Sequence, residues 1–222
     1  FCILACMMFG TLFYLSGDMK MTLLAVVSVG ALIPFFFHNV FGKTSKMFIG
    51  DGGTLVMGII MSIFVIEILQ SGSLCAAYVG ESIGLIPFAL AVLCIPVFDT
   101  LRVMSTRMLK GSSPFRPDKT HLHHMFIDMG CSHVATTLAI LGLNMAVVLC
   151  WWAFEAVGFS IAVQLYAVVG MSLLSTFGLY HFMQWHIRRD TKFMGVIRRL
   201  GYKTHISRTG FFFWLQQVMD KV

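Results

Sequence analysis

The chain has 222 residues, 58% hydrophobic and only 12% charged, with a formal net charge of +6 and a mean hydropathy of +0.84. A water-soluble domain carries about 25% charged residues, so the composition excludes an ordinary soluble globule and points to an all-α, polytopic membrane protein. The six cysteines (Cys2, Cys6, Cys75, Cys94, Cys131 and Cys150) form no Cys-x-x-Cys pair and lie scattered through apolar runs, as small core residues rather than a disulfide or zinc framework.

Phe1 opens directly inside an apolar run, with no initiator Met and no basic leader. The expectation is a piece of a longer protein beginning just before a membrane span, without a signal peptide. Six apolar stretches are long enough to cross a bilayer at roughly 17–22 residues each. They fall at about 1–16, 21–37, 54–70, 84–101, 134–154 and 160–182, the first being the shortest. Fifteen of the sixteen Lys and Arg residues lie in alternate gaps: 38–53, 102–133 and the tail after 182. By the positive-inside rule those three segments are cytoplasmic. The expected organisation is a transmembrane catalytic region over 1–182 and a basic, aromatic interfacial tail over 183–222.

The loop at 38–53 ends in Gly50-Asp51-Gly52-Gly53-Thr54, where it meets the next apolar run. Thr54 is a reasonable N-cap for that helix. The glycines allow a ligand close to the backbone, and the amides of a helix start favour phosphate. Asp51 offers a hard oxygen to Mg²⁺, an ion usually held by one or two carboxylates plus substrate phosphates. A plain turn with Asp51 as its capping residue would be spelled in the same way. No Gly-Lys-Ser/Thr follows this glycine run, so it is not a P-loop.

The second constellation runs PVFDTLRVMSTRMLKGSSPFRPDKTHLHHMF from Pro96 to Phe126. Asp99 and Arg102 stand where an apolar helix emerges, as functional candidates or as a simple i,i+3 ion pair. Arg107, Lys110, Arg116 and Lys119 suit phosphates, although a cytoplasmic loop needs cations for topology alone. His121, His123 and His124 crowd three imidazoles into four positions. No further ligand stands at a familiar zinc spacing, and Asp118 is the nearest carboxylate, so substrate contact or proton transfer is favoured over metal. His133, His181, His186 and His205 read as solvated bystanders. The tail mixes HIRRDTKFMGVIRR with GFFFWLQQ, a composition that suits an anionic membrane surface and equally an ordinary basic juxtamembrane tail.

Together, Phe48-Ile49-Gly50-Asp51-Gly52-Gly53-Thr54 and Pro114-Phe115-Arg116-Pro117-Asp118-Lys119-Thr120-His121-Leu122-His123-His124 resemble two motifs of the polyprenyl-phosphate N-acetylhexosamine-1-phosphate transferases. The first is similar to the family's Phe-Met-Gly-Asp-x-Gly-Ser, with Thr54 keeping the hydroxyl of the usual Ser. The second has the His-x-His-His form of the branch that uses UDP-N-acetylglucosamine. The family's paired-aspartate loop and Asn-rich Asp-Gly motif lie upstream and have no counterpart here, so the resemblance covers roughly a C-terminal half, expected to be inactive alone.

The resemblance implies transfer of N-acetylglucosamine-1-phosphate from UDP-GlcNAc to undecaprenyl phosphate with release of UMP. That is a first membrane step toward cell-surface polysaccharide, such as lipopolysaccharide O-antigen or a cell-wall polymer, at the bacterial inner membrane. The implied catalytic residues are Asp51, His121, His123 and His124, with Asp51 also the ligand of Mg²⁺ or, in its place, Mn²⁺. Substrate contacts are assigned to Asn39, Lys46, Gly50, Gly52, Gly53, Thr54, Arg102, Arg107, Arg116 and Asp118. Expected partners are the UDP-sugar donor, the polyprenyl phosphate acceptor and membrane lipids, with no nucleic acid and a homodimer left open. Three other readings stand beside this one: the phospho-N-acetylmuramoyl-pentapeptide transferase of peptidoglycan synthesis, a metal-ion transporter using the histidine loop, and a catalytically dead membrane scaffold.

Overall fold

A computed structural model of the chain describes residues 1–41, 47, 49–70, 84–115, 120–189, 191–203, 213–214, 217–218 and 220. Lys46, Phe48, Arg116, Asp118 and Cys75, all singled out above, lie outside the described residues. Those that are described form helices and turns, with no strand among them. The chain divides into two compact units, residues 1–89 with 206–222, and residues 90–205.

In the first unit, α1 (Cys2–Leu15) and α2 (Met19–Phe41) form a tight antiparallel pair. Gly17 turns the chain at φ 77°, and the Asp18 carboxylate then accepts from the amides of Lys20 and Met21 at 3.1 Å each. That satisfies donors a new helix leaves open. Gly10 is needed where the two helices meet: a Cβ there would stand 2.8 Å from the Ala25 Cβ. Next comes α3 (Gly50–Gln70), whose Phe64 lies 5.8 Å from Phe9 and 5.4 Å from Phe13, ring centre to ring centre.

Six spans were expected. Among the described residues four helices, Met19–Asn39, Gly50–Gln70, His133–Val157 and Ile161–Arg188, are long and apolar enough to cross a membrane, which makes the chain a multi-pass membrane protein. A fifth crossing exists if the bent pair α4 (Leu85–Val92) and α5 (Cys94–Leu109) counts as one, whereas α1 has 14 residues and falls short. The stretch expected as a single span over 84–101 is therefore two helices, bent by 70° at Leu93.

Pro96 supplies a cause for the bend. It has no amide hydrogen, and its ring clashes with the carbonyl four residues back, which is that of Val92. Within the second unit, fully buried Asn144 fills the break from α7 (His133–Val157). Its Nδ2 donates to the carbonyls of Val92 at 3.1 Å and Ala91 at 3.4 Å, and its Oδ1 accepts from the Ile95 amide and the Cys94 thiol at 3.3 Å each. Irregular backbone inside a membrane protein survives only where protein groups satisfy it.

The rest of the second unit surrounds α5. A seven-residue helix, α6 (Leu122–Asp128), carries the histidine motif. It leads to α7, capped by the Ser132 hydroxyl, which accepts from the Ala135 amide at 3.2 Å. Then come α8 (Ile161–Leu173), a π-helical turn at Leu174–Gly178, α9 (Leu179–Arg188) and α10 (Lys192–Lys203). The boundary expected between 182 and 183 falls inside α9. Leu122 and Met125 of α6, with Met129 at its C-cap, pack against Met183 of α9 and Met194 of α10. Methionine fills such irregular space because it is unbranched and polarizable.

Candidate functional site

The residues singled out in the sequence fall into both units. In the first, the helix begins earlier than Thr54. Gly50, at φ 70°, opens α3, and Asp51, Gly52 and Gly53 form its first turn. Thr54 is therefore inside the helix and is not its N-cap; its hydroxyl donates to the Asp51 backbone carbonyl at 2.8 Å. Only glycine adopts the left-handed conformation at Gly50 without strain. Asp51 is exposed in the first turn, where its negative charge complements the positive end of the helix. Among the described residues no group of three His, Cys, Asp or Glu side chains stands where it could hold a metal ion. A single exposed carboxylate still fits one ligand position of a Mg²⁺ held chiefly by phosphate oxygens. Asn39 is half-buried near the end of α2.

In the second unit the outcome is sharper. Asp99 and Arg102 are on one face of α5 and are buried, the arginine to 1% exposure. Arg102 donates to Asp99 Oδ1 from Nη2 at 2.7 Å and from Nε at 3.2 Å. So the i,i+3 ion pair read from the sequence is present, but it is only part of the arrangement. Asp99 Oδ2 lies 2.9 Å from His121 Nδ1 and accepts the Leu122 amide at 3.3 Å. Arg102 Nη2 also donates to the Thr120 carbonyl at 2.6 Å, and its guanidinium stacks 3.8 Å above the Tyr180 ring of α9. Arg102 Nη1, also buried, has no hydrogen-bond partner among the described residues.

One carboxylate therefore organises the start of the histidine helix. His121 is the N-cap of α6 and its side chain makes no capping bond; Asp99 takes over the Leu122 amide from across the fold. An ionised carboxylate only accepts, so the Nδ1 facing it carries a proton, which leaves Nε2 as the second ring nitrogen. The His121 side chain is 32% exposed, so that nitrogen is within reach of a ligand. The His123 ring lies 4.1 Å from that of His124, centre to centre, tilted by 39°, and nearly parallel to that of His121, at 15° and 6.0 Å. Loss of hydration, then repulsion from His124 and His121, pushes the His123 pKa below its ordinary 6.5, with Asp99 opposing the shift. It follows that His123 is neutral near pH 7.

Arg107, expected at substrate, donates from Nη1 to the Pro114 carbonyl at 2.5 Å and so folds the turn after α5. Sequence reading missed Tyr180 and the Thr120 carbonyl, and left the part played by Asp99 open. An aromatic 78 residues from Arg102 gives no local signal, whereas a lone Asp at a helix end does.

Comparison with known proteins bears on both units. Residues 1–69 match the model of glycosyl transferase family 4. Over 133 residues, 57% of this chain, it is 31% identical to the undecaprenyl-phosphate alpha-N-acetylglucosaminyl 1-phosphate transferase of Yersinia pestis, covering 34% of that protein. Over 157 residues, 63% of this chain, it is 30% identical to the Haemophilus influenzae protein of the same name, covering 42%. The Escherichia coli K12 protein of that name is 28% identical over 133 residues, 57% of this chain and 34% of its own length. The matched stretch thus spans about a third to two fifths of these relatives. No solved structure matches the chain.

Proposed function

We propose that the protein transfers N-acetylglucosamine-1-phosphate from UDP-GlcNAc to undecaprenyl phosphate at the cytoplasmic face of the bacterial inner membrane. The observation that carries this reading is the Asp99 carboxylate binding His121 and Arg102 together at the His-x-His-His motif, in a chain similar to transferases of that name. An acceptor phosphate oxygen attacks the sugar-bearing phosphorus, the new P–O bond forms, and the bond to UMP breaks. Negative charge on both phosphates must be balanced while this happens, so pre-placed positive charge and donors are the main catalytic need. Buried Arg102 keeps a positive charge beside the histidine helix, and the imidazoles contact the diphosphate or nucleotide. Asp51 contributes a carboxylate to Mg²⁺, which supplies countercharge to the diphosphate when bound.

The relatives' names favour N-acetylglucosamine over the muramoyl-pentapeptide donor, and a transferase over a metal transporter. The test is UMP release by the full-length protein in membranes supplied with undecaprenyl phosphate and Mg²⁺, with either UDP-GlcNAc or UDP-MurNAc-pentapeptide as donor. Lipid-dependent release from UDP-GlcNAc alone is expected. Release only from the muramoyl donor, or none from either with folded protein, would overturn the assignment.

A further inference from the structure

The helix α10 divides its faces between two environments. Met194 is buried and Ile197 packs beside it on the methionine cluster that also holds Leu122 and Met125 of the histidine helix and Met129 at its C-cap. Phe193, Val196 and Leu200 point elsewhere, at 43%, 55% and 58% exposure, and form an apolar stripe at helical spacing. Lys192, Arg198 and Arg199 are exposed on the same helix.

This stripe is continuous with a membrane-spanning surface. The span Ile161–Arg188 ends four residues before α10 begins. At the corner, Phe193 packs 5.9 Å from Phe182 and 4.9 Å from His186, ring centre to ring centre. His186 Nδ1 lies 2.8 Å from the Thr191 hydroxyl, and the Arg189 guanidinium sits 4.5 Å over Trp185. Aromatic rings beside arginines at the end of a span are the pattern of a membrane–water boundary. A short helix with an apolar face and a basic flank, held at that level, lies in the plane of a bilayer and prefers anionic headgroups.

We infer that α10 is a docking surface for an anionic phospholipid leaflet and that docking steadies the histidine helix α6 through the shared methionine cluster. Phe193, Val196 and Leu200 enter the acyl boundary while Lys192 and Arg199 meet headgroup phosphates. On its other face Met194 packs in the cluster with Leu122 and Met125 of α6 and Met129 at its C-cap. The inference does not depend on which reaction the protein catalyses.

Amide hydrogen exchange of the full-length protein in nanodiscs tests it, comparing phosphatidylglycerol with phosphatidylcholine bilayers. Exchange over 192–203 is expected to slow about tenfold in the anionic bilayer, and exchange over 122–129 to slow with it, both gains fading in high salt. Lys192→Glu with Arg199→Glu removes both gains while protection of α7 stays as in wild type. Equal exchange over 192–203 in the two bilayers would overturn the docking. Slowing confined to 192–203, with 122–129 unchanged, would overturn the link to the histidine helix.

Discussion

With Nδ1 facing Asp99 at 2.9 Å, His121 is tied to the buried ion pair, whereas the His123 and His124 rings lie against each other, 4.1 Å apart and tilted by 39°. The three imidazoles of one short motif are thus not equivalent. Replacing Asp99 by Asn keeps the volume but removes the charge that orients His121 and pairs Arg102. Loss of an orienting partner of this kind costs about 10–100-fold. The expected result for Asp99→Asn is a fall of that size in kcat, little change in donor KM, and a displaced pH profile. A folded variant with the wild-type pH profile would show that Asp99 serves packing only. His123 makes a separate prediction. Because its pKa is lowered in the fold, its contribution to stability is complete above 6.5 and is lost as pH falls through the depressed value. Melting temperature scanned from about pH 7.5 to about pH 5 is expected to fall less in His123→Gln than in wild type; parallel curves would refute this. Asp99 and Arg102 were legible as a pair because three residues separate them on a helix. The bond from Asp99 to His121 was not, because it spans 22 residues and depends on how the loop after α5 folds back.

At the level of elements, the break between α4 and α5 rests on Pro96 and Asn144. Hydropathy finds apolar stretches and is blind to a bend within one, so the sequence places a single span over 84–101 where two helices meet at 70°. A polar residue in the middle of the apolar run 134–154 was the available sign that some neighbour needs hydrogen bonds. Asn144→Ala leaves the Val92 carbonyl and the Ile95 amide without their side-chain partner inside the fold, at about 1–3 kcal/mol for each unsatisfied group. A lower unfolding midpoint in detergent is expected, together with faster proteolysis near the break; an unchanged midpoint would mean the carbonyls are satisfied in another way. The start of α3 shows a second limit. Hydropathy begins the helix at Thr54, yet a run of glycines around an aspartate continues it back to Gly50. Glycine's poor helix propensity is offset there by Asp51 in the first turn.

Across the whole molecule, composition alone assigned the class, since so few charges leave no material for a soluble surface. The alternation of Lys and Arg between gaps yields an expected orientation, and two short motifs an expected chemistry; neither expectation needs long-range packing. Asp51 and the His121 constellation were found as separate motifs and fold in separate units. That Asp51 and the histidine motif are each needed for the proposed transfer is the central claim, and it is tested most directly by lipid-dependent UMP release from UDP-GlcNAc. Wild type, Asp51→Asn and the double variant His123→Ala/His124→Ala of the full-length protein would be run side by side. The account predicts release by wild type, none above background with Asp51→Asn, and a loss of about 100-fold or more in the histidine variant. Near-normal release by either variant, in protein shown to be folded, would contradict it.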